Sequence, residues 1–387
     1  MKILLAPDSF KGSLSAQDFC TSFQKGAAKV RDDVTFDFLP VADGGEGTLQ
    51  CLLSAMQGSI EKCTVKNSLY EDVEALVGFF ENKKTAVIEA AYANGLPQIK
   101  GRENPEVTTT FGVGQMIDFA IEKGVEKIIL TLGGSSTNDC GLGMLSALGA
   151  VFFNKENKPF VPAGGTLSDI TKIDLTKLHD RIKNISFVGM CDVKNPLCGE
   201  NGCSYIFAPQ KGADPQMVKR LDSGCRHVAE IFSQNDDTYA QPSNSTKQKT
   251  DFSLAEGAGA AGGLGFAILA GLGGTLRSGI DMVLDLCNFD ERIKDCDYIV
   301  TGEGSFDYQS LMGKVIGGII DRVEKSQKKI SVSVFCGKLG RIESKPQILS
   351  DIIEISKGQE LSYAMTHAKE NLETSAQTWL KNLPYHT

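Results

Sequence analysis

Nowhere does the chain contain G-x-x-x-x-G-K-[ST], so the common P-loop is excluded as its way of holding a phosphate. Histidine is scarce: His179, His227, His367 and His386 are the whole set, and none lies in a cluster. An imidazole general base or a histidine-rich metal site therefore has little to draw on. The 11 cysteines form no C-x-x-C. Their nearest grouping, Cys191, Cys198 and Cys203, has no histidine beside it, so they read as small buried hydrophobes in a reducing compartment. No apolar run approaches the ~20 residues that a membrane-crossing helix needs. Basic residues are outnumbered 40 to 48, and the net charge of −8 argues against a nucleic-acid or anionic-membrane surface. The first strand-like run meets Asp8 after a few apolar residues, which predicts no secretory leader and a cytoplasmic location.

Glycine is abundant, and it is concentrated where chemistry is expected. Ile128-Ile129-Leu130 runs into Thr131-Leu-Gly-Gly-Ser-Ser-Thr-Asn-Asp139, followed by a small-residue helix. Such a strand, breaking into glycines and hydroxyls at a helix start, would aim backbone N–H groups at a phosphate. Four more glycine- or proline-rich acidic clusters follow apolar runs: Pro7 to Gly12, Asp43 to Gly47, Cys191 to Pro196, and Thr301 to Asp307. Ligands of α/β folds bind at the carboxyl ends of parallel strands, so these clusters should converge on a rim.

At 387 residues the chain exceeds one ordinary core. Both ends read as alternating strands and helices: strands at 2–6, 34–41, 298–300, 330–335 and 352–355, with helices near 13–30, 47–56, 313–324 and 361–380. The middle opens with an antiparallel hairpin (73–80, 85–90). A helix (112–122), strands at 127–131, 185–190 and 204–207, and amphipathic helices at 215–232 and 262–272 follow. Residues 234–249 read as a polar surface loop. The expected fold class is α/β: a split, doubly wound, Rossmann-like parallel-sheet domain from 1–70 plus 290–387, with a mixed α+β domain at 71–289 inserted into it. A cleft between the two is expected.

Each candidate residue has a bland alternative. Lys11 is either a cation for an anionic ligand or a surface lysine. Asp43 and Glu46, bracketing glycines, suit Mg2+ or cap a helix. Asp192 and Asn195, before Pro196, contact a ligand or shape a turn. Ser135, Ser136 and Asn138 hold phosphate or cap the next helix, while Gly133 and Gly134 permit close approach. Glu303 and Asp307 flank a further glycine. Gly257-Ala-Gly-Ala-Ala-Gly262, with Asp281 downstream, spells a dinucleotide motif, yet no strand precedes it; close packing accounts for it better.

Taken in order, the motifs resemble the glycerate kinase type I family. They are Ala6-Pro-Asp-Ser-Phe-Lys-Gly12, Val41-Ala-Asp-Gly-Gly-Glu-Gly-Thr48, Gly95-Leu-Pro97, Asn104-Pro105 and Thr108-Thr-Thr-Phe-Gly-Val-Gly114. Leu132-Gly-Gly-Ser-Ser-Thr-Asn-Asp139, Cys191-Asp-Val-Lys-Asn-Pro-Leu197, Pro209-Gln-Lys-Gly-Ala213, Gly257 to Gly265 and Thr301-Gly-Glu-Gly304 continue the set. Departures are Cys140 for Gly, Cys203 for Ala, and Ser305-Phe306 where a cation and an apolar residue are commoner. The resemblance implies ATP as co-substrate with Mg2+, D-glycerate as acceptor, and the 2-hydroxyl as the favoured target. The 3-hydroxyl and other small hydroxy acids are the alternatives. Lys11, Asp192 and Asp8 are then the catalytic candidates. Gly133, Gly134, Ser135, Ser136, Asn138 and Asn195 are assigned to nucleotide or phosphate, and Ser9, Lys11 and Asp43 to glycerate. Asp43, Glu46 and Glu303 are assigned to metal. A monomer or homodimer without nucleic-acid or membrane partners is expected.

Overall fold

The computed structural model describes residues 1–45, 47–235, 251–311, 314–342 and 344–383. The expected polar loop at 234–249 lies almost wholly outside them. Two compact units divide the chain: Met1–Asp43, Gln50–Met56 and Ser278–Thr387 form the first, and Gly44–Leu49 with Gln57–Arg277 the second. These boundaries differ from the expected 70 and 290. Gly58–Lys66 is a strand that pairs antiparallel with Asp72–Phe80 along its whole length, and so belongs with the second unit. Its alternation puts Ile60 in solvent among lysines and glutamates, leaving no apolar face to read from sequence.

The first unit holds a five-stranded parallel sheet in the order Leu349–Glu354, Ser331–Leu339, Tyr298–Phe306, Lys2–Leu5, Thr35–Phe38. Strands from both ends of the chain therefore share one sheet. Ile3, Leu4 and Leu5 are all fully buried, as an apolar run without alternation requires of a parallel strand covered on both faces. Ile3, Leu5, Val300 and Phe335 pack against Phe19 and Phe23 of helix Ala16–Ala27 and Trp379 of helix Ala368–Asn382. Period two sends Leu4, Ile299 and Val334 to the other face. Ser15 caps the first helix by accepting the Asp18 N–H. The helix expected at 361–380 is interrupted, as Leu361–Thr366 and Ala368–Asn382.

The second unit is built on a six-stranded mixed sheet in the order Thr275–Arg277, Ser186–Met190, Lys127–Thr131, Thr85–Glu89, Asp72–Phe80, Gly58–Lys66. The first four strands are parallel and the last two complete an antiparallel edge. Residues 204–207, expected as a strand, lie in the helix Cys203–Phe207. Ser-Tyr-Ile-Phe has β propensity, but Cys203, Ser204 and Ala208 are buried while Tyr205 and Ile206 face solvent, a helical rather than alternating pattern. The helix expected at 262–272 is broken as well. Ala261, Gly262 and Gly263 adopt left-handed conformations, and position 262 must be glycine, since a Cβ there would lie 1.9 Å from the Thr137 carbonyl oxygen. The dinucleotide-like glycines thus serve close packing, preceded by a 3-10 turn at Phe252–Leu254 rather than a strand. Among the described residues no helix is long and apolar enough to cross a membrane.

Candidate active site

Strand pairing in the first unit extends past the strand ends and carries the acids with it. Ala6 and Asp8 donate to the carbonyls of Val300 and Gly302 at 2.8 Å, which aligns Asp8 with the strand bearing Glu303. On the other side, Leu39 donates to Leu5 and Val41 to Pro7, bringing the chain to Asp43. A tight turn follows Asp8: Ser13 and Leu14 donate to the Phe10 carbonyl, Gly12 takes a φ of 79°, and Lys11 is lifted into solvent. Gly302 leaves no room for a side chain, since a Cβ would meet the Phe335 carbonyl at 2.4 Å. The result is a cavity of about 360 Å³ whose lining includes Asp8, Ser9, Lys11, Asp43 and Glu303. Two exposed lysines that the motifs did not single out, Lys314 and Lys338, line it too. Each follows a glycine, Gly313 and Gly337, but neither stands in a cluster of glycine with acids like those that marked the rest.

Crowding of acids sets the electrostatics. Burial, and then the charge of Asp43, push the Asp8 carboxyl up to about 6, against the Ser9 N–H at 2.6 Å and the Lys11 ammonium, which pull it down. Burial pushes Glu303 up to about 7 with help from Asp8, opposed by the Ser310 hydroxyl and Lys314. Among the described residues Glu303 Oε1 is buried with no hydrogen-bond partner. Carboxyls held this far above their usual range are short of positive charge. Lone carboxylates that complete their shell with substrate phosphates are how Mg2+ is commonly bound, so Asp43 and Glu303, with Asp8 beside them, fit that ion. Among the described residues no three His, Cys, Asp or Glu side chains close into a preformed metal cage. Glu46 lies outside the described residues.

A stability signature follows. Well below pH 3.8 both carboxyls are protonated in the folded and the unfolded chain. As pH rises toward 7 the unfolded chain ionises first, so stability is lost progressively up to the folded values of about 6 and 7. Glu303→Gln should leave the melting temperature at pH 3 nearly unchanged and raise it at pH 8, by roughly 3–5 °C for about 3 kcal/mol relieved. Thermal melts across pH test this; equal lowering at both pH values would show that Glu303 is stabilising.

In the second unit the loop after Lys127–Thr131 departs from expectation. Ser136, Thr137, Asn138 and Asp139 are wholly buried. The Ser136 hydroxyl bonds to the Asn94 carbonyl and Ser68, and Asn138 donates to Ser204, so neither side chain is presented to a ligand. Nor is the helix start free. Helix Leu142–Ala147 begins after Cys140 and Gly141, both left-handed, and its Gly141 and Gly143 N–H groups donate to Asp139. Asp139 also accepts from Thr109 and Thr110. An internal carboxylate occupies the place expected for phosphate, which the Asp at the end of the motif and Thr108-Thr-Thr110 foreshadow. Gly133 and Gly134 remain at the loop's outer edge, with Ser135 buried just beneath them. Asn195 ties its own loop, donating to the Asn201 carbonyl at 2.8 Å and accepting from Gly259. Asp192 stands exposed on that loop. Asp8, Ser9, Lys11, Asp43 and Glu303 are thus brought together in the first unit, while Gly133 to Ser135, Asp192 and Asn195 belong to the second.

Acids and lysines gathered at the carboxyl ends of a parallel sheet define an α/β protein with a site for an anionic ligand. A model described as the glycerate kinase family matches residues 3–383, and the chain belongs to that family. It is 43% identical over 325 residues to a glycerate kinase of Bacillus cereus, covering 84% of this chain and 82% of that one. It is 40% identical over 331 residues to a glycerate 2-kinase of Escherichia coli K12, covering 85% and 84%. A crystal structure assigned to glycerate kinase 2 of Salmonella typhimurium LT2 superposes with a TM-score of 0.84 at 34% identity, over 98% and 97% of the two chains.

Proposed function

We propose that the protein transfers the γ-phosphoryl group of ATP to the 2-hydroxyl of D-glycerate. Family membership supports the kinase activity, and the name of the E. coli relative supports the 2-position over the 3-position. The observation that carries the chemistry is Asp8. Its carboxyl, poised at about 6 in a cavity beside Lys11, is ionised near neutrality and basic enough to accept the proton of an attacking hydroxyl. Phosphoryl transfer asks for positioning, charge neutralisation and such a base, and little else.

In this reading Ser9 and Lys11 orient glycerate, and Lys11, with Lys314 and Lys338, offsets charge developing on the transferring group. Asp43 and Glu303 would hold Mg2+, which when bound neutralises phosphate charge. Gly133, Gly134 and Ser135 approach phosphate, and the exposed Asp192 is the further acid assigned to the reaction. The first unit is read as the split, doubly wound domain and the second as the insertion. The enzyme is read as cytoplasmic and as a monomer or homodimer.

The test is ADP release in a coupled assay with ATP, Mg2+ and D-glycerate, with phosphorus NMR of the product. A 2-phosphoglycerate signal is expected. A 3-phosphoglycerate signal would overturn the regiochemistry; activity only with another hydroxy acid, or hydride exchange with a nicotinamide, would overturn the reading.

A further inference from the structure

Lys211 is the most unusual cation of the molecule. It ends the 3-10 turn Pro209–Lys211 of the second unit and is 2% exposed. Buried lysines are normally paired with a carboxylate, yet among the described residues Lys211 makes no ion pair. Its Nζ donates to the Ser135 hydroxyl oxygen at 2.9 Å and the Thr137 carbonyl at 2.7 Å, leaving one of three donors without an acceptor among the described residues. A full positive charge is thus sealed directly beneath the outer edge of the glycine loop.

That contact fixes what Ser135 can do. Its oxygen already accepts from Lys211, and its own proton finds no acceptor among the described residues. The backbone agrees. Ser135 sits opposite Gly95 in an antiparallel bridge whose hydrogen bonds run from Leu96 N–H to the Gly134 carbonyl and from Ser136 N–H to the Asn94 carbonyl. Such a non-hydrogen-bonded position turns the Ser135 N–H away from its partner strand. Beside it, Gly134 is exposed at a φ of 72°.

We propose that Ser135, backed by Lys211, is an oxyanion seat: the serine O–H and N–H contact a carboxylate or phosphoryl oxygen of a substrate, and Lys211 supplies the charge from behind. Lys211 is here a positioning residue, acting through Ser135. The proposal rests on the glycerate kinase reading for the identity of its two candidate sources, the carboxylate of D-glycerate and the phosphates of ATP. Nothing in the motifs marks Lys211 beyond its place in Pro209-Gln-Lys-Gly-Ala213.

The charge is tunable. Burial pulls Lys211 down to about 8. The groups acting on it are Asp139, whose carboxyl burial pushes up, and the Cys203 and Cys225 thiols, which are pushed well above their usual range and stay neutral. Losing the ammonium above pH 8 should therefore weaken the seat, and a bound oxyanion should raise the lysine's titration.

The experiment combines kinetics and NMR on the full chain. Ser135→Ala and Lys211→Met should raise the KM of the seated substrate roughly 10- to 100-fold, the loss of one charge-assisted hydrogen bond, with the other KM within about threefold. A rise confined to D-glycerate seats the carboxylate, and one confined to ATP seats the phosphate. The rise of that KM above pH 8 in the wild type should disappear in Lys211→Met. Should that variant fail to fold, nitrogen-15 spectra of lysine-labelled wild-type protein still decide, because Lys211 should titrate higher with D-glycerate, ADP or inorganic phosphate. A folded Ser135→Ala with both KM values unchanged, or a Lys211 signal that none of these probes moves, overturns the seat. If glycerate is never phosphorylated but Lys211 responds to phosphate, the seat stands and the glycerate reading falls.

Discussion

Asp8→Asn should fold, melt higher than the wild type at pH 7, and lose most of its turnover. The loss expected from removing a general base is ~10²- to 10⁴-fold in kcat. KM should move little, because the amide keeps the size of the carboxyl and the Ser9 N–H next to it. The gain in stability comes from the same burial that makes the acid useful. With a folded value of about 6 against an ordinary 3.8, the ionised carboxyl costs roughly 3 kcal/mol at neutral pH, and the neutral amide removes that cost. In the wild type, kcat/KM should climb as pH rises through 6 and the carboxyl ionises. Near-normal turnover in the folded variant would remove Asp8 from the chemistry, and a lowered melting temperature at pH 7 would contradict the electrostatic account.

Lys11→Met carries the second large effect. The ammonium stands exposed on its turn and makes no ion pair among the described residues, so folding has little need of it and thermal stability should barely change. Its charge reaches Asp8 and the cavity floor. An electrostatic contact made in the transition state is worth ~2.7–4 kcal/mol, and an ordinary charge-assisted bond roughly 1.5–3, so kcat/KM should fall ~10- to 1000-fold. Lys314 and Lys338 line the same cavity and decide where in that range the result falls. If they share the phosphate charge, the loss stays near tenfold; if they do not, it approaches the upper end. Steady-state kinetics beside a thermal melt make the measurement. Turnover preserved within a factor of two would reduce Lys11 to a surface lysine.

The residues easiest to read in the sequence were those at strand ends. Ile3, Leu4 and Leu5 form an apolar run closed by Pro7 and Asp8, and the pattern recurs before Asp43 and Glu303, so strand and site were announced together. Antiparallel edges were harder. Gly58–Lys66 alternates between solvent and a half-buried face, and charged side chains erase its signal. The buried interior of the second unit was misjudged for a different reason. Ser136, Asn138 and Asp139 look, by residue type, like ligands of a phosphate. What removes them is burial against Asn94, Ser68, Thr110 and Ser204, partners distant in sequence that no local spacing reveals. Lys211 lies inside the Pro209-Gln-Lys-Gly-Ala213 motif, but its burial against Ser135 and Thr137 comes from contacts more than 70 residues away, which no local pattern shows.

The pairing of Ile3 with Tyr298 has a consequence for biosynthesis. The strand that lies inside the first unit's sheet leaves the ribosome long before one of its neighbours exists, some 295 residues ahead of it. At ordinary translation rates that interval is on the order of 15–60 s. Helix Ala16–Ala27, with Phe19 and Phe23 on its apolar side, waits longer still for Trp379. Residues 57–277 are continuous in sequence and need not wait. Such long-range closure places this chain among slow folders, whose nascent N-terminal strands and apolar helix faces stay open to chaperones and to neighbouring chains until the last helix has been made.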